Sequence, residues 1–216
     1  MNDAPAAVLT GPEIVPARVT HLVVLLHGYG SNGADLNTLA RQINGQFPTT
    51  AFLSPNAPEP CPGNPAGFQW FGLTRISPEE RDTGVYQAAP KLNEWLDRCL
   101  DRFQLDLHKL ILAGFSQGAM MALHVGLRRP CAGILGFSGS LAAPGKLRDE
   151  LHARPPVCLI HGSHDEVLPF PLMYEAKGAL EANQVEVSVH LSHNVPHAIG
   201  PDGLQKAVAF LHRLIG

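Results

Sequence analysis

The residues best suited to chemistry in this chain sit in the run Leu110-Ile-Leu-Ala-Gly-Phe-Ser-Gln-Gly-Ala-Met-Met-Ala-Leu. An apolar strand leads into Gly114-Phe-Ser-Gln-Gly118, and a helical segment follows. That is a G-x-S-x-G in the context a nucleophilic serine needs, with Ser116 on a sharp strand-to-helix turn. The glycines serve a steric purpose: two positions either side of the serine, a Cβ would keep strand and helix apart. Ala119 and Ala122 extend the close packing. A similar run, Gly136-Phe-Ser-Gly-Ser140, has serine where the second glycine belongs and is followed by Leu141-Ala-Ala-Pro, which breaks a helix, so Ser138 reads as a strand-end serine.

A serine hydroxyl is a weak nucleophile at neutral pH and needs a base within hydrogen-bond reach, itself oriented by a third group. On this kind of turn the partners follow in the order serine, acid, histidine. Of Asp149, Asp165 and Asp202, only Asp165, with Glu166 beside it, lies just beyond the carboxyl end of a buried strand, where open α/β sheets gather their sites. Asp149 lies in a charged helical stretch, and Asp202 starts the last helix. For the base, His190 continues a polar strand face and His212 lies within the last helix. His193 and His197 both fall in the loop after the last strand, and spacing alone does not separate them.

The oxyanion of acyl transfer needs preorganised N–H donors. The backbone of Gln117, next to the serine, supplies one. A second comes from the glycine-rich stretch Leu25-Leu-His-Gly-Tyr-Gly-Ser-Asn-Gly33, where the N–H of Tyr29 is the natural donor. A phosphate-cradling loop is the rival reading of that stretch, but it lacks both G-x-x-x-x-G-K-[ST] and a G-x-G-x-x-G opening a helix.

To position such groups the chain needs a sheet. Short β-branched runs at His21–Leu26, Thr50–Leu53, Leu110–Ala113, Gly133–Phe137, Val157–Ile160 and Val185–Leu191 alternate with helical segments. This predicts an α/β fold, a mostly parallel sheet with helices on both faces. Val85, Ala88, Ala89, Leu92, Trp95, Leu96, Cys99 and Phe103 trace an amphipathic helix, in which Pro90 fits only near the first turn. Further helices are expected from about Gln117 to Arg128 and from Gly203 to about Leu214, the latter capped by Asp202. Residues 54–83 form a long Pro- and Gly-rich loop with Phe68, Trp70 and Phe71 in its middle, and residues 1–19 an N-terminal extension. Loops of that length are usually functional or disordered, and clustered aromatics argue for order.

The 216 residues suit one domain. A hydrophobic share of 45% with 16% charged residues describes a globular chain. A net charge of −3 with no basic run longer than Arg128–Arg129 excludes the electrostatic footprint of a nucleic-acid binder. The first twenty residues do not read as a signal peptide, and no apolar run reaches membrane-spanning length, so no stable membrane insertion is expected. Cys61, Cys99, Cys131 and Cys158 are widely spaced, which predicts reduced thiols and a cytoplasmic location.

Taken together, His27-Gly-Tyr-Gly, Gly114-Phe-Ser-Gln-Gly118, His161-Gly-Ser-His-Asp-Glu-Val-Leu-Pro169 and Pro196-His197 resemble the phospholipase/carboxylesterase family of α/β-hydrolases, from about residue 20 to the C-terminus. The resemblance implies an α/β-hydrolase fold without a large cap domain, no cofactor, and a triad on Ser116, Asp165 and His197. It also implies an oxyanion hole at the N–H groups of Tyr29 and Gln117, and substrate contacts from Trp70, Phe71 and Leu168. The expected function is a serine carboxylesterase acting on short to medium acyl or aryl esters through an acyl-enzyme. Lysophospholipase and acyl-protein thioesterase activity are the alternatives within the family, and a homodimer is compatible with it. Two departures stand out: His193-Asn-Val-Pro-His197 has no glycine before the histidine, and Tyr29 replaces a small aliphatic residue, its ring narrowing the site. A metal-dependent hydrolase is the competing class, on the strength of 11 histidines and the clusters His161-Gly-Ser-His164-Asp165 and His193-x-x-x-His197. It lacks H-E-x-x-H and leaves the serine turn unexplained.

Overall fold

The computed structural model describes residues 9–75 and 77–216. In chain order its elements are β1 (Glu13–Ile14), β2 (His21–Leu26), α1 (Gly33–Ile43), β3 (Thr50–Leu53), β4 (Glu59–Cys61), β5 (Asn64–Gln69), α2 (Pro78–Phe103) and β6 (Leu110–Phe115). There follow α3 (Gln117–Gly126), β7 (Gly133–Phe137), α4 (Leu147–Glu150), β8 (Val157–Gly162), α5 (Pro171–Ala182), β9 (Val187–Ser192) and α6 (Pro201–Ile215).

Seven strands form one sheet in the order β1-β3-β2-β6-β7-β8-β9, parallel throughout except for β1. Because side chains alternate along a strand, the sheet faces two cores. From β2, Leu22, Val24 and Leu26 pack with α2, α3 and α5, whereas Val23 and Leu25 pack with α1 and α6. The strand order runs one way from β2 to β3 and the other way from β6 to β9. The reversal puts a crevice beyond the carboxyl ends of β2 and β6, where ligands of open α/β sheets bind. Leu26 is paired with Gly114, so the segments holding Tyr29 and Ser116 leave the sheet side by side.

Several details depart from the sequence expectations. Pro90 lies in the middle of α2, not near its start, because a capping box between Ser77 and Glu80, with Pro78 following, begins the helix earlier. Pro90 sits on the exposed face, where water can take up the carbonyl its missing N–H leaves free. The last helix begins at Pro201 with Gly200 at its cap, and Asp202 instead accepts a hydrogen bond from His190 Nε2 at 2.8 Å. Segment 54–83 is not a plain loop: β4 and β5 form a hairpin in it, turning at Gly63 with φ of +80°, and its last residues begin α2. Of the N-terminal extension, residues 1–8 lie outside the described residues. The rest is tied to the sheet, since β1 pairs with β3 and Leu9 O accepts from Trp95 Nε1 at 2.8 Å.

Candidate active site

Ser116 follows β6 directly, with φ of 53° and ψ of −115°, a conformation unfavourable for any residue with a Cβ. Its surroundings hold it there. Its N–H donates to Phe137 O at 2.8 Å, and its own carbonyl accepts from Ala119 N at 3.0 Å as α3 begins. A Cβ on Gly114 would stand 2.2 Å from Gly118 O, and one on Gly118 would stand 1.9 Å from Leu26 O. Both glycines of the motif are therefore required for β2, β6 and α3 to meet. Strain of this kind at a half-exposed serine marks a functional turn.

Asp165 and His197 come from the loops after β8 and β9, and these loops are laced together. His164 N donates to Val195 O at 2.9 Å, Asn194 N to Ser163 Oγ at 2.9 Å, and Ser163 N to Ser192 O at 2.9 Å. The histidine loop lacks a glycine of its own, but Gly162 on β8 provides the close approach: a Cβ there would meet Val195 O at 2.3 Å and Pro196 O at 2.4 Å. The result is a hydrogen bond of 2.7 Å between His197 Nδ1 and Asp165 Oδ2. Facing a carboxylate, Nδ1 carries the proton, so Nε2 keeps its lone pair. The imidazole also lies against Phe115, with ring centroids 4.8 Å apart, which brings it beside the serine turn.

The Asp165 side chain is fully buried and its acceptors are all engaged. Oδ1 takes the N–H groups of Val167 and Leu168 at 3.0 and 2.8 Å, and Oδ2 lies 3.2 Å from His161 Nε2 as well as accepting from His197. Burial alone would raise its pKa; the hydrogen bonds from His197, Leu168 and Val167 together outweigh it and hold the carboxyl below its ordinary range. His161 Nε2 donates to Leu168 O at 2.7 Å. It is a buried histidine whose pKa is lowered by desolvation, hence a neutral donor rather than a base.

On the opposite side, the backbone N–H groups of Tyr29 and Gln117 make no backbone hydrogen bond among the described residues, whereas those of Gly30 and Ser31, which follow Tyr29, are used. Gln117 is the first residue of α3, where N–H groups are free and the helix dipole favours negative charge. Its buried side chain clamps the aromatic loop, Oε1 accepting from Trp70 N at 2.9 Å and Nε2 donating to Phe71 O at 2.8 Å. Trp70 Nε1 donates to His27 O at 3.0 Å. His27 in turn accepts from Ala57 N through Nε2 and is kept neutral by burial.

Trp70 and Phe71 are 2% and 3% exposed and belong to the core against α2, with Phe71 packed directly on Gly84. Leu168 is 3% exposed and belongs to the same core. All three, expected from the sequence to touch substrate, are thus packed inward, held by the hydrogen bonds of Gln117, His27 and Asp165. The Tyr29 ring, by contrast, is exposed at the surface. His193 and Glu166 are exposed, and Ser138 is buried. Among the described residues no three of His, Cys, Asp and Glu converge as a metal-binding group.

The doubly covered parallel sheet, the strained serine turn at its switch point and the Asp165–His197 pair define an α/β-hydrolase. The chain belongs to the phospholipase/carboxylesterase family, which it matches over residues 10–215. It is 42% identical to a solved structure of esterase PE8, with a TM-score of 0.93, covering 95% of this chain and 99% of that one. Among curated proteins, esterase YpfH of Escherichia coli is 28% identical over 196 residues, 90% of this chain and 83% of that protein. Acyl-protein thioesterase 1 of Saccharomyces cerevisiae is 27% identical over 220 residues, 93% of this chain and 95% of that protein. The protein is thus a carboxylic ester hydrolase of the carboxylesterase/acyl-protein thioesterase family.

Proposed function

We propose that the protein is a serine carboxylesterase hydrolysing short to medium acyl or aryl esters, with Ser116 as nucleophile, His197 as general base and Asp165 as its orienting acid. The observation that carries this reading is the 2.7 Å bond from His197 Nδ1 to the buried Asp165, which leaves Nε2 basic beside the serine turn. Ser116 Oγ attacks the ester carbonyl carbon while His197 Nε2 takes its proton. The carbonyl electron pair moves onto oxygen, held by the N–H groups of Tyr29 and Gln117. Collapse of this intermediate breaks the bond to the alcohol, which leaves with the proton from His197. Water then follows the same route: His197 accepts its proton, hydroxide adds to the acyl-enzyme, and the acid departs as Ser116 regains a proton.

The Ser116–His197 contact is not a hydrogen bond in this structure; such contacts commonly tighten only with substrate bound. A thioester enters the same cycle with a thiol as leaving group, and the likeness to acyl-protein thioesterases supports including thioesters in the assay. Among the described residues no helix is long and apolar enough to cross a membrane. All four cysteines are unpaired and buried, which supports a reducing, cytoplasmic setting. The test is hydrolysis of aryl esters and a matching thioester by the wild type and Ser116→Ala: loss of both activities in a folded variant is expected, and full activity would refute the assignment.

A further inference from the structure

Trp70, Phe71 and Leu168 are buried in the core and offer little free surface to a long chain. A groove with a volume of about 910 Å³ runs between α1 and α6, within the size range of small-molecule sites. Its upper end is formed by Gly28, Phe115 and Ala198. Gly28 packs against Ser116, a Cβ there standing 3.3 Å from the serine Cβ, and the Phe115 ring lies 4.8 Å from that of His197, so this end of the groove adjoins the reacting centre. From there it follows α6 from Pro201 to His212, about 16 Å at 1.5 Å per residue.

The floor is apolar, built from Leu36, Leu39 and Ile43 of α1 and Leu204 and Val208 of α6. Its polar residues are mostly uncharged, and neither lysine nor arginine lines it. A phosphate or sulfate group would find no counter-charge there, and the side chain of Asp35 would repel it. An apolar trough with one end beside the serine turn suits an unbranched hydrocarbon chain.

We infer that this groove binds the apolar chain of the ester, with the ester carbonyl at Ser116 and the chain lying between α1 and α6. The inference rests on the esterase reading and adds to it the place where chain length is measured. Two series test it: aryl esters of lengthening acyl chain, and acetate esters of lengthening alkyl alcohol, which together tell which arm of the substrate lies in the groove. For that arm kcat/KM should climb by roughly fourfold per methylene until the groove is filled. Val208→Trp on α6, half-buried at the edge of the core, and Thr38→Trp on α1, exposed, fill the groove from opposite walls. With folding verified by thermal melting, both should flatten the climb, lowering the long-to-short ratio at least tenfold. A ratio unchanged in both folded variants, or a wild type in which neither series climbs, overturns the groove assignment. If the wild type hydrolyses no ester of either series, it is the esterase reading that fails.

Discussion

His197 Nδ1 and Asp165 Oδ2 lie 2.7 Å apart, with the carboxylate wholly buried and its other oxygen held by two backbone N–H groups. An acceptor fixed this firmly dictates the imidazole tautomer and its direction. Asp165→Asn keeps the shape but offers an N–H or a weaker acceptor, so the ring can turn to the wrong tautomer. We expect kcat to fall by roughly 10³–10⁴-fold with little change in KM. His197→Ala should be at least as inactive. His193 is exposed and outside this contact, so His193→Ala should stay within about twofold of the wild type. Steady-state kinetics on one aryl ester decides, and an inactive His193→Ala beside an active His197→Ala would move the base.

The Trp70 ring is buried and its Nε1 holds His27 O. Trp70→Ala should cost about 3–5 kcal/mol, lowering the melting temperature by roughly 10 °C, while the preference among acyl lengths stays as it was. A shifted length optimum at unchanged melting temperature would return Trp70 to the substrate site.

Gly84 on α2 faces the Phe71 ring so closely that a Cβ would stand 2.1 Å from it. Gly84→Ala raises helix propensity yet should destabilise by roughly 1–3 kcal/mol, since the ring beneath is held by its own backbone bond to Gln117. Denaturant titration measures this; a stabilised variant would mean the loop yields easily.

His124 is buried against Tyr86, and desolvation, aided by Arg128, pushes its pKa down to about 4. The unfolded chain binds this proton near about 6.5 and the folded chain only near 4. Protons therefore favour unfolding across that window: stability is complete above pH 6.5 and falls as the pH drops towards 4. Buried His27 and His161, also lowered by desolvation, add in the same direction. The His124 share is about 3 kcal/mol. Denaturation midpoints at pH 7.5 and 4.5 should differ clearly in the wild type and less in His124→Gln; equal pH dependence in both would remove His124 from the account.

How far the sequence could be read depended on how local each signal was. The Gly114–Gly118 turn, the strand before Asp165 and the loop holding His197 are each written in a few consecutive residues, and five of the six expected strands begin at the observed residue. Trp70 and Phe71 were not legible in this way. Their burial depends on Gln117 and His27, more than forty positions distant, and a loop aromatic carries no periodicity to show which way it faces. Other features are written locally in the sequence. Asn32 caps α1 by accepting from Asp35 N, and Leu36, Leu39, Ala40 and Ile43 follow at helical spacing. Pro62-Gly63 marks the turn of the β4–β5 hairpin. His161 needed the structure, because its bond to Leu168 O makes sense only once the turn around Asp165 is formed.

The central claim is that Ser116 is the one activated nucleophile, and mass spectrometry after treatment with an aryl organophosphate tests it most directly. Phosphorylation displaces the aryl oxide and leaves a stable serine ester that water does not readily release. The intact protein should gain one phosphoryl group, localised by digestion to the peptide holding Gly114-Phe-Ser-Gln-Gly118, with ester hydrolysis lost in proportion. Ser116→Ala, folded by melting, should gain none. A wild type that hydrolyses esters yet takes up no label, or carries it on Ser138 or another residue with Ser116 free, would contradict the account.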